Sequence, residues 1–490
     1  MRILSGNRFA LFGMRSNILR APMTPTALIV SGSLPEVITK PLPDIAKAIA
    51  VGNVSSVALT QYYLERIARL NPSLQAYITV TAETALAQAS AADRTLADGR
   101  SLGPLHGVPV ALKDLCETDF TPTSNGMAIF RDRQTGRNAK VVTNLLAAGA
   151  VILGKLAMAE GACSAHHPEM PVPVNPWGTS FRVGASSSGS GVAVAAGLAA
   201  AAIGSDTGGS IRFPAAYCGV TGLKPSRGFV STEGICTMAP SLDHLGPMAS
   251  NADGCALLLE AMSGLGNTLP SGQAPGRRFG YLPYLLSARL DPEVRTAYCR
   301  LLDTAERIGL DLVACAVPDV PDLQETWDFI CAKETARSHA ASYPAQRNAY
   351  GQALATLIEK GLSLSDEDYA EALKRYAEIT VLWNKLFDGI DWLAMPVHAV
   401  IPPLLDNALG APNKGLGNPL EFTAPANLTG LPALAFSVGR DPRGCPIGMQ
   451  IMAPMQADFA LLALGSRLQE NGLYPLSLFS PRAGEFEPLK

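Results

Sequence analysis

Two glycine-dense turns that contain serines lie close together in this chain of 490 residues: GASSSGSG at residues 184–191 and SDTGGS at residues 205–210. Glycine beside a serine lets the backbone approach a reacting atom closely and adopt positive φ at little cost. Consecutive backbone N–H groups in such a turn can point at a developing negative charge. A serine that attacks an acyl group needs both properties, so the two turns predict acyl-transfer chemistry.

The second turn supplies the candidate nucleophile, Ser210. It follows Gly208 and Gly209 and comes shortly after the apolar segment 199–203, which predicts a tight turn in the interior of the molecule. We expect the N–H groups of Thr207, Gly208, Gly209 and Ser210 to converge and form an oxyanion hole. A purely structural turn between two strands is the alternative interpretation of this segment.

The base that takes the proton of this serine is predicted to be Lys113. It is the first charged residue after the apolar run 108–112, which places it at the end of a buried strand. Lysine is rarely buried, and desolvation lowers its pKa and leaves a neutral amine that can accept a proton. A histidine base brought in by long-range contacts is the alternative. Its candidates are His106, His166, His167 and His244.

The first turn opens an alanine-rich segment, residues 192–202, for which we predict a helix. A helix there would direct its positive N-terminus at Ser186 and Ser187. This places Ser187 among the candidate oxyanion-binding or substrate-binding residues.

Composition favours a compact globular enzyme, because 48% of the residues are hydrophobic and 17% are charged. A net charge of -3 gives no electrostatic reason to expect binding to nucleic acid or to an anionic membrane. The nine cysteines are spread singly, which predicts reduced thiols in a cytoplasmic protein rather than disulfides or a zinc site. The six histidines lack metal-ligand spacing and there is no phosphate-binding glycine motif, so we predict no metal and no cofactor.

Strands alternate with helices along the first third of the chain, which predicts an α/β layer architecture. The strands are expected at 76–80, 107–113 and 150–153, and helices at 82–96 and 139–148. Two further helices are expected within 42–70, the second capped by Ser55 or Ser56. From 276 to 394 helical periodicity dominates, most clearly at 292–309 and 366–387. Residues 402–421 are rich in Pro, Gly and Asn and predict a long loop, whereas 422–452 returns to strand-like runs.

The first 22 residues carry four arginines and no acidic residue. We interpret them as a disordered tail, or as the product of an upstream start codon with Met23 as the natural first residue; a targeting peptide is the alternative. Residues 23–490 are predicted to form a single domain. No segment reaches the roughly 18 apolar residues that a membrane span requires.

Several motifs together resemble the amidase signature family. They are Lys113 in GPLHGVPVALKD, the serine pair in GASSSGSG, and SDTGGSIRFPAAYCGVTGLKPS, with 24 residues separating Ser186 from Ser210 as in the family. SLDHLGP at 241–247 and FTAPANLTGLPAL at 422–434 extend the resemblance, which runs from about residue 45 to about residue 476.

This resemblance implies a fold and a mechanism. The fold would be one large mixed β-sheet with helices on both faces. Ser210 would be the nucleophile, Ser186 a bridging serine whose peptide bond is cis, and Lys113 the base. A proton would pass from Ser210 through Ser186 to Lys113 and then to the leaving amine, and water would release the acyl group.

Three charged residues close to the serine turns in sequence are expected to support the site. We expect Asp206 to accept hydrogen bonds from the turn that carries Ser210, Arg212 to pair with an acidic residue, and Asp243 to be structural. Substrate specificity is expected from variable segments of the chain. These are 121–130, 158–174 with Cys163, His166 and His167, 402–421, and the helical region 320–390 with Trp327, Tyr369 and Trp383.

The expected activity is hydrolysis of a small, hydrophobic or aryl amide, anilide, carbamate or ester by a monomer or homodimer without a nucleic-acid or membrane partner. The first alternative is a glutamine amidotransferase A-type subunit that makes ammonia for tRNA-dependent amidation. Leu115 weakens it, since many such subunits carry Asn there. Ala185 also departs from the family pattern, in place of the second glycine of GGSS. The second alternative, an inactive member acting as a binding protein, conflicts with the intact Lys113, Ser186 and Ser210.

Overall fold

In the described part of the computed structural model, short apolar runs of the chain assemble into one mixed sheet of eleven strands. The structure describes residues 34–265, 276–287, 289–320, 322–405 and 420–473. In chain order the strands are β1 (Tyr77–Val80), β2 (Pro109–Lys113), β3 (Val151–Leu156), β4 (Ala201–Asp206), β5 (Thr221–Lys224), β6 (His244–Ala249), β7 (Arg278–Tyr281), β8 (Asp311–Ala314), β9 (Trp392–Pro396), β10 (Ala433–Arg440) and β11 (Pro446–Met452).

The strand order across the sheet is β1-β3-β2-β4-β6-β5-β10-β11-β9-β7-β8. Strand β2 runs parallel to β3 and β4, and β7 runs parallel to β8 and β9, whereas the remaining neighbours are antiparallel. The register pairs Val110 with Ala201 and Ala111 with Ala202. Because β2 and β4 are parallel neighbours, their carboxyl ends, Lys113 and Asp206, meet at one edge of the sheet.

Fifteen α-helices surround this sheet in the described part of the chain. They are α1 (Leu34–Val37), α2 (Leu42–Ala50), α3 (Ser56–Leu74), α4 (Ala82–Ala97), α5 (Lys140–Ala147), α6 (Ser188–Ala195), α7 (Arg212–Cys218), α8 (Ala252–Ser263), α9 (Pro292–Arg307), α10 (Leu323–Ser338), α11 (Tyr343–Gln346), α12 (Gln352–Ser363), α13 (Asp366–Leu386), α14 (Ala424–Thr429) and α15 (Asp458–Leu468).

The helices cover both faces of the sheet, as two residues on opposite faces of β6 show. A side chain at Gly246 would meet Ile211, which directly precedes α7, whereas Ala249 packs against Gly254 of α8. Successive residues of a strand point to opposite faces, so α7 and α8 lie on opposite sides of β6. With both faces covered, every residue of β2, β3, β4, β5 and β6 is buried.

The predicted fold class, a central mixed sheet flanked by helices within one large domain, is confirmed. The two helices predicted within 42–70 are α2 and α3, and the Ser55 side chain caps α3 by accepting a hydrogen bond from the Ala58 N–H. The helices predicted at 292–309 and 366–387 correspond to α9 and α13.

Two predictions of secondary structure are wrong. The helix predicted over 192–202 ends at Ala195, and from Ala201 the chain is strand β4. Alanine favours helices by intrinsic propensity, but the pairing of β4 between β2 and β6 overrides it. The stretch 422–452, predicted to be strand-like throughout, begins with α14 before β10 and β11. The predicted tail 1–22 and positions 406–419 of the predicted loop lie outside the described residues.

Two further predictions concern cysteines and membrane spans. The nine cysteines are free thiols, and five of them are buried. In the ranges that the structure describes, no helix combines the length and the apolar composition needed to cross a bilayer.

Candidate active site

Lys113 ends strand β2 and is fully buried. Its amine lies among three serine hydroxyls, at 2.7 Å from Ser186 Oγ, 2.9 Å from Ser187 Oγ and 2.8 Å from Ser205 Oγ. None of these contacts is with a carboxylate. The amine is therefore removed from water without a directly paired counter-charge.

This environment changes the pKa of Lys113. Burial lowers the pKa to about 7, because desolvation penalises the ammonium form, and the negative charges of Asp206 and Asp243 offset only part of that penalty. A substantial fraction of the amine is therefore neutral near pH 7. A neutral amine has two N–H donors and one lone pair, which matches three hydroxyl neighbours.

Ser187 fixes the direction of these hydrogen bonds. Its hydroxyl donates to the Ser205 carbonyl oxygen at 3.0 Å, so towards Lys113 it acts as the acceptor of an N–H. Ser186 and Ser205 are left as the hydroxyls that can donate to the amine lone pair. Ser187 is fully buried and directly precedes α6, and its hydroxyl contacts Lys113 and the backbone of Ser205 in β4. Its role in binding a substrate stays a prediction.

Ser186 lies on a backbone of special geometry. The Ala185–Ser186 peptide bond is cis, as the family resemblance implies, and Ser186 is fully buried. Its carbonyl oxygen accepts from the Ala159 N–H at 3.2 Å, and the Ser187 N–H donates to the Ser210 carbonyl oxygen at 3.1 Å. These bonds hold the two serine turns against each other. Ser210 is partly exposed, and its hydroxyl makes no hydrogen bond to a residue in the described ranges.

Residues 206–210 carry the predicted nucleophile Ser210 and are named the nucleophile turn after that prediction. This turn is anchored through all of its carbonyl groups. Each carbonyl accepts one or more hydrogen bonds at 2.6–3.1 Å. From the carbonyl of Asp206 to that of Ser210, the donors are, in turn, Asn427 Nδ2, Trp327 Nε1, Thr423 Oγ1, Phe213 N and Ser187 N. Since the carbonyls all bond to protein donors, they are held away from any substrate.

The N–H groups of the nucleophile turn are used differently. Gly209 N donates to Asp206 Oδ1 at 2.7 Å, so this group is not available to a substrate. Within the described ranges, the N–H groups of Thr207, Gly208 and Ser210 have no acceptor. These three N–H groups remain as candidate donors to an oxyanion. The sequence suggested four, but the N–H of Gly209 is bonded to Asp206.

Asp206 and Arg212 form a fully buried ion pair behind the turn. Arg212 Nη2 lies 2.9 Å from Asp206 Oδ1 and Arg212 Nε lies 3.0 Å from Asp206 Oδ2. The guanidinium also donates to Gln450 Oε1 and Asn427 Oδ1. Burial raises the pKa of Asp206, but the charge and hydrogen bonds of Arg212, together with Asn427, outweigh it and hold the pKa below its usual range. The predicted roles of Asp206 and Arg212 are both confirmed.

Asp243 supports the turn from the neighbouring loop. It accepts from Thr207 Oγ1 at 2.6 Å and from the N–H groups of Met238 and Ala239 at 2.9 and 3.2 Å. Burial raises the pKa of Asp243 to about 6. Its contacts are those of the structural residue that the sequence predicted.

The predicted specificity segments differ in how close they lie to this site. Segment 158–174 contributes His166, whose Nε2 lies 2.8 Å from Ser188 Oγ at the start of α6. Trp327 of the helical region contacts the nucleophile turn directly. Tyr369 instead bonds Glu334, and Trp383 is buried, with no contact to the turn among the described bonds. None of the four histidine candidates for the base forms a hydrogen bond with Ser210 in the part of the chain that the structure describes.

Sequence reasoning missed several residues that hold the site. Ser205 was not distinguished from the other serines, although it belongs to the quoted SDTGGS. Thr423 and Asn427 lie in the quoted FTAPANLTGLPAL motif, which was the only signal for them. Phe213 carried no signal beyond its place after Ser210.

Comparison with known proteins decides the family. The family model for amidases matches residues 58–462. The chain belongs to the amidase family.

The similarity to individual proteins is consistent with this family. The chain is 38% identical to AmiD of Mycobacterium tuberculosis over 449 residues, covering 88% of this chain and 93% of AmiD. It is 34% identical over 482 residues to a glutamyl-tRNA(Gln) amidotransferase subunit of Methylococcus capsulatus, covering 88% and 96%. Its fold is similar to that of the peptide amidase of Stenotrophomonas maltophilia, with a TM-score of 0.75, 26% identity, and 89% and 98% coverage. The chain is therefore an amidase-family hydrolase of carbon–nitrogen bonds.

The buried ion pair generates a prediction on stability. Replacing the arginine in Arg212→Met leaves a buried carboxylate uncompensated, which we expect to lower the free energy of unfolding by about 3–5 kcal/mol. Urea unfolding followed by circular dichroism measures the change. The matched control is Arg278→Met, which breaks the partly exposed pair with Asp391 and is expected to cost about 1 kcal/mol or less. Equal effects of the two substitutions would contradict the structural role of Arg212.

Proposed function

We propose that this chain is a stand-alone amidase that hydrolyses a small, hydrophobic or aryl amide through Ser210, Ser186 and Lys113. One observation carries the proposal. A fully buried lysine amine, with its pKa lowered to about 7, lies 2.7 Å from the hydroxyl of Ser186, next to the glycine turn that presents Ser210. These are the parts that a serine nucleophile and a general base require.

The proposed acylation begins with the neutral Lys113 amine. It accepts the proton of the Ser186 hydroxyl, and Ser186 in turn takes the proton of Ser210 as Ser210 Oγ bonds to the substrate carbonyl carbon. This relay requires the Ser210 hydroxyl to turn towards Ser186, and hydrogen bonds of this kind often tighten only when substrate is bound. Ser187 and Ser205 keep the amine in place during the transfer.

The negative charge that develops on the substrate oxygen needs fixed donors. The N–H groups of Thr207, Gly208 and Ser210 are proposed to supply them, because the anchored carbonyls keep the turn rigid and leave these donors unpaired. The proton then returns through Ser186 to the leaving amine. Water attacks the acyl-enzyme by the same relay and regenerates Ser210.

The substrate class is inferred from the lining of the site. The specificity segments that lie near the site contribute Trp327, and the sequence of the predicted specificity segments shows no cluster of Arg or Lys that would favour an anionic acyl group. We therefore favour an uncharged amide, with carbamates and esters of the same acyl group as further substrates. The enzyme is proposed to act in the cytoplasm as a monomer or homodimer, without nucleic acid, membrane, metal or cofactor.

An ammonia-producing amidotransferase subunit is the second candidate, and similarity to the subunit of Methylococcus capsulatus favours it. The higher identity to AmiD and the Leu115 departure support the stand-alone amidase instead. An isolated chain that hydrolyses aryl amides without glutamine or a partner would eliminate this second candidate.

The proposal predicts a pH dependence. The lysine acts as a base only when its amine is neutral, and its pKa is lowered to about 7, so kcat/KM should rise with pH and reach half its maximum near pH 7. The measurement is kcat/KM for a neutral anilide between pH 5 and 10. A rise centred near pH 10, the range of an ordinary lysine, would contradict the assignment of Lys113 as the base.

The proposal also predicts the effect of removing each reacting group. Ser210→Ala and Lys113→Ala should each lower kcat/KM for 4-nitroacetanilide by at least about 10³-fold, because nucleophile and base act as one unit. Colour release by the purified chain, without glutamine, measures this. Exposed residues provide matched controls, Ser73→Ala and Lys140→Ala, which should leave the rate unchanged. Substantial activity of Lys113→Ala near neutral pH would contradict the mechanism in which Lys113 is the base.

A further inference from the structure

The two glycines that precede Ser210 lie under two aromatic side chains. A Cβ atom at Gly208 would lie 2.5 Å from Trp327 Cζ2, and a Cβ atom at Gly209 would lie 2.6 Å from Phe213 Cε2. Both distances are shorter than any real carbon contact, so each ring rests directly on the backbone of the nucleophile turn. Glycine is required at both positions because the rings occupy the space of a side chain.

The two rings differ in their exposure. The Trp327 side chain is only 9% exposed, and its indole N–H donates to the Thr207 carbonyl oxygen at 2.9 Å. Phe213, like Ser210, is partly exposed. Trp327 therefore packs on the turn from the interior, whereas Phe213, whose ring lies over Gly209, is partly open to solvent.

Neighbouring aromatic groups hold the ring of Phe213. Its centroid lies 6.0 Å from that of His398 in an edge-on arrangement and 6.1 Å from that of Tyr217. The Tyr217 hydroxyl lies 3.3 Å from His398 Nδ1, which fixes the imidazole. Burial lowers the pKa of His398 to about 4, so it is neutral at pH 7. The two rings that pack on Phe213 are thus both uncharged at pH 7.

The turn limits where the carbonyl group of a substrate can bind. Its carbon must lie within bonding distance of Ser210 Oγ, and its oxygen must point at the free N–H groups of Thr207, Gly208 and Ser210. That carbon also carries the acyl substituent and the leaving amine, and the part-exposed ring of Phe213 lies over the backbone at Gly209, next to these donors.

We propose that Phe213 is the specificity-determining residue of an acyl subsite that takes a flat, uncharged apolar group such as benzoyl, with Trp327 as its buried wall. The subsite rests on the proposed function, since it needs Ser210 to be the nucleophile. Aromatic rings pack favourably edge to face or offset, so an arene gains more from this wall than a methyl group does.

The experiment compares two anilides that share one leaving group, N-benzoyl-4-nitroaniline and N-acetyl-4-nitroaniline. Intact protein should show the higher kcat/KM for the benzoyl compound. Phe213→Leu should lower the benzoyl-to-acetyl ratio of kcat/KM by about tenfold or more, as loss of a hydrophobic subsite contact does. Phe213→Met is measured in parallel and should lower the ratio in the same way. The result then does not depend on whether the Phe213→Leu variant folds correctly.

The matched control is Phe229→Leu. Phe229 is also partly exposed and contacts an aromatic ring, that of Phe459 at 5.9 Å, but no described bond joins it to the nucleophile turn. This variant should keep the ratio of the intact protein. An unchanged ratio in both Phe213 variants, or a preference of the intact protein for the acetyl compound, would overturn the subsite while leaving the amidase proposal in place.

A second measurement does not depend on turnover. Binding of phenylboronic acid and methylboronic acid, measured by calorimetry, should lose its phenyl preference in Phe213→Leu and keep it in Phe229→Leu. Equal loss in both variants would overturn the subsite. If the intact protein hydrolyses neither anilide and no other amide, the proposed function fails and the subsite fails with it.

Discussion

The candidate site depends on a lysine amine taken out of water without a carboxylate partner. Desolvation of an ammonium group costs several kcal/mol unless a counter-charge is paired with it. Around Lys113, strand β4 and the turn before α6 supply three hydroxyls, so burial favours the neutral amine. Lys155, on the next strand, is equally buried but lies 3.0 Å from Asp114 Oδ1. The two lysines therefore differ in their partners and not in their burial, since Lys113 contacts hydroxyls and Lys155 contacts a carboxylate.

The fold creates this environment through strand direction. Because β2 and β4 are parallel neighbours, Lys113 and Asp206 end at the same sheet edge, and the nucleophile turn begins there. The acidic charge that could have paired with the lysine is instead held by Arg212. One buried carboxylate thus fixes the turn through Gly209 and Ile211 while leaving Lys113 with hydroxyls only.

Much of this could be predicted from local sequence. Lys113 stands out as a charge at the end of an apolar run, and the glycine turns mark Ser186 and Ser210. The carboxylate of Asp206 accepts hydrogen bonds from N–H groups three and five residues later in the chain, so its role could also be predicted from the sequence. These features are local, and sequence motifs record local geometry well. The α/β alternation was equally visible in the periodicity of the first third of the chain.

Other features depend on distant parts of the chain. Trp327, Thr423 and Asn427 reach the turn from more than 100 residues away, and nothing in their local sequence specifies that contact. The end of α6 at Ala195 follows from the neighbours of β4 in the sheet rather than from alanine propensity. The sequence predicts that Asp206 accepts from this turn, but it does not specify which N–H group is the donor, and the structure shows that it is that of Gly209.

The protonation state of Lys113 is the central claim, and it is directly measurable. Protein labelled with ¹³C at the lysine ε-carbons would be titrated by NMR, with the Lys113 signal assigned by its loss in Lys113→Met. The account predicts a midpoint near pH 7 for this signal. A midpoint near pH 10, as for a lysine in water, would contradict it.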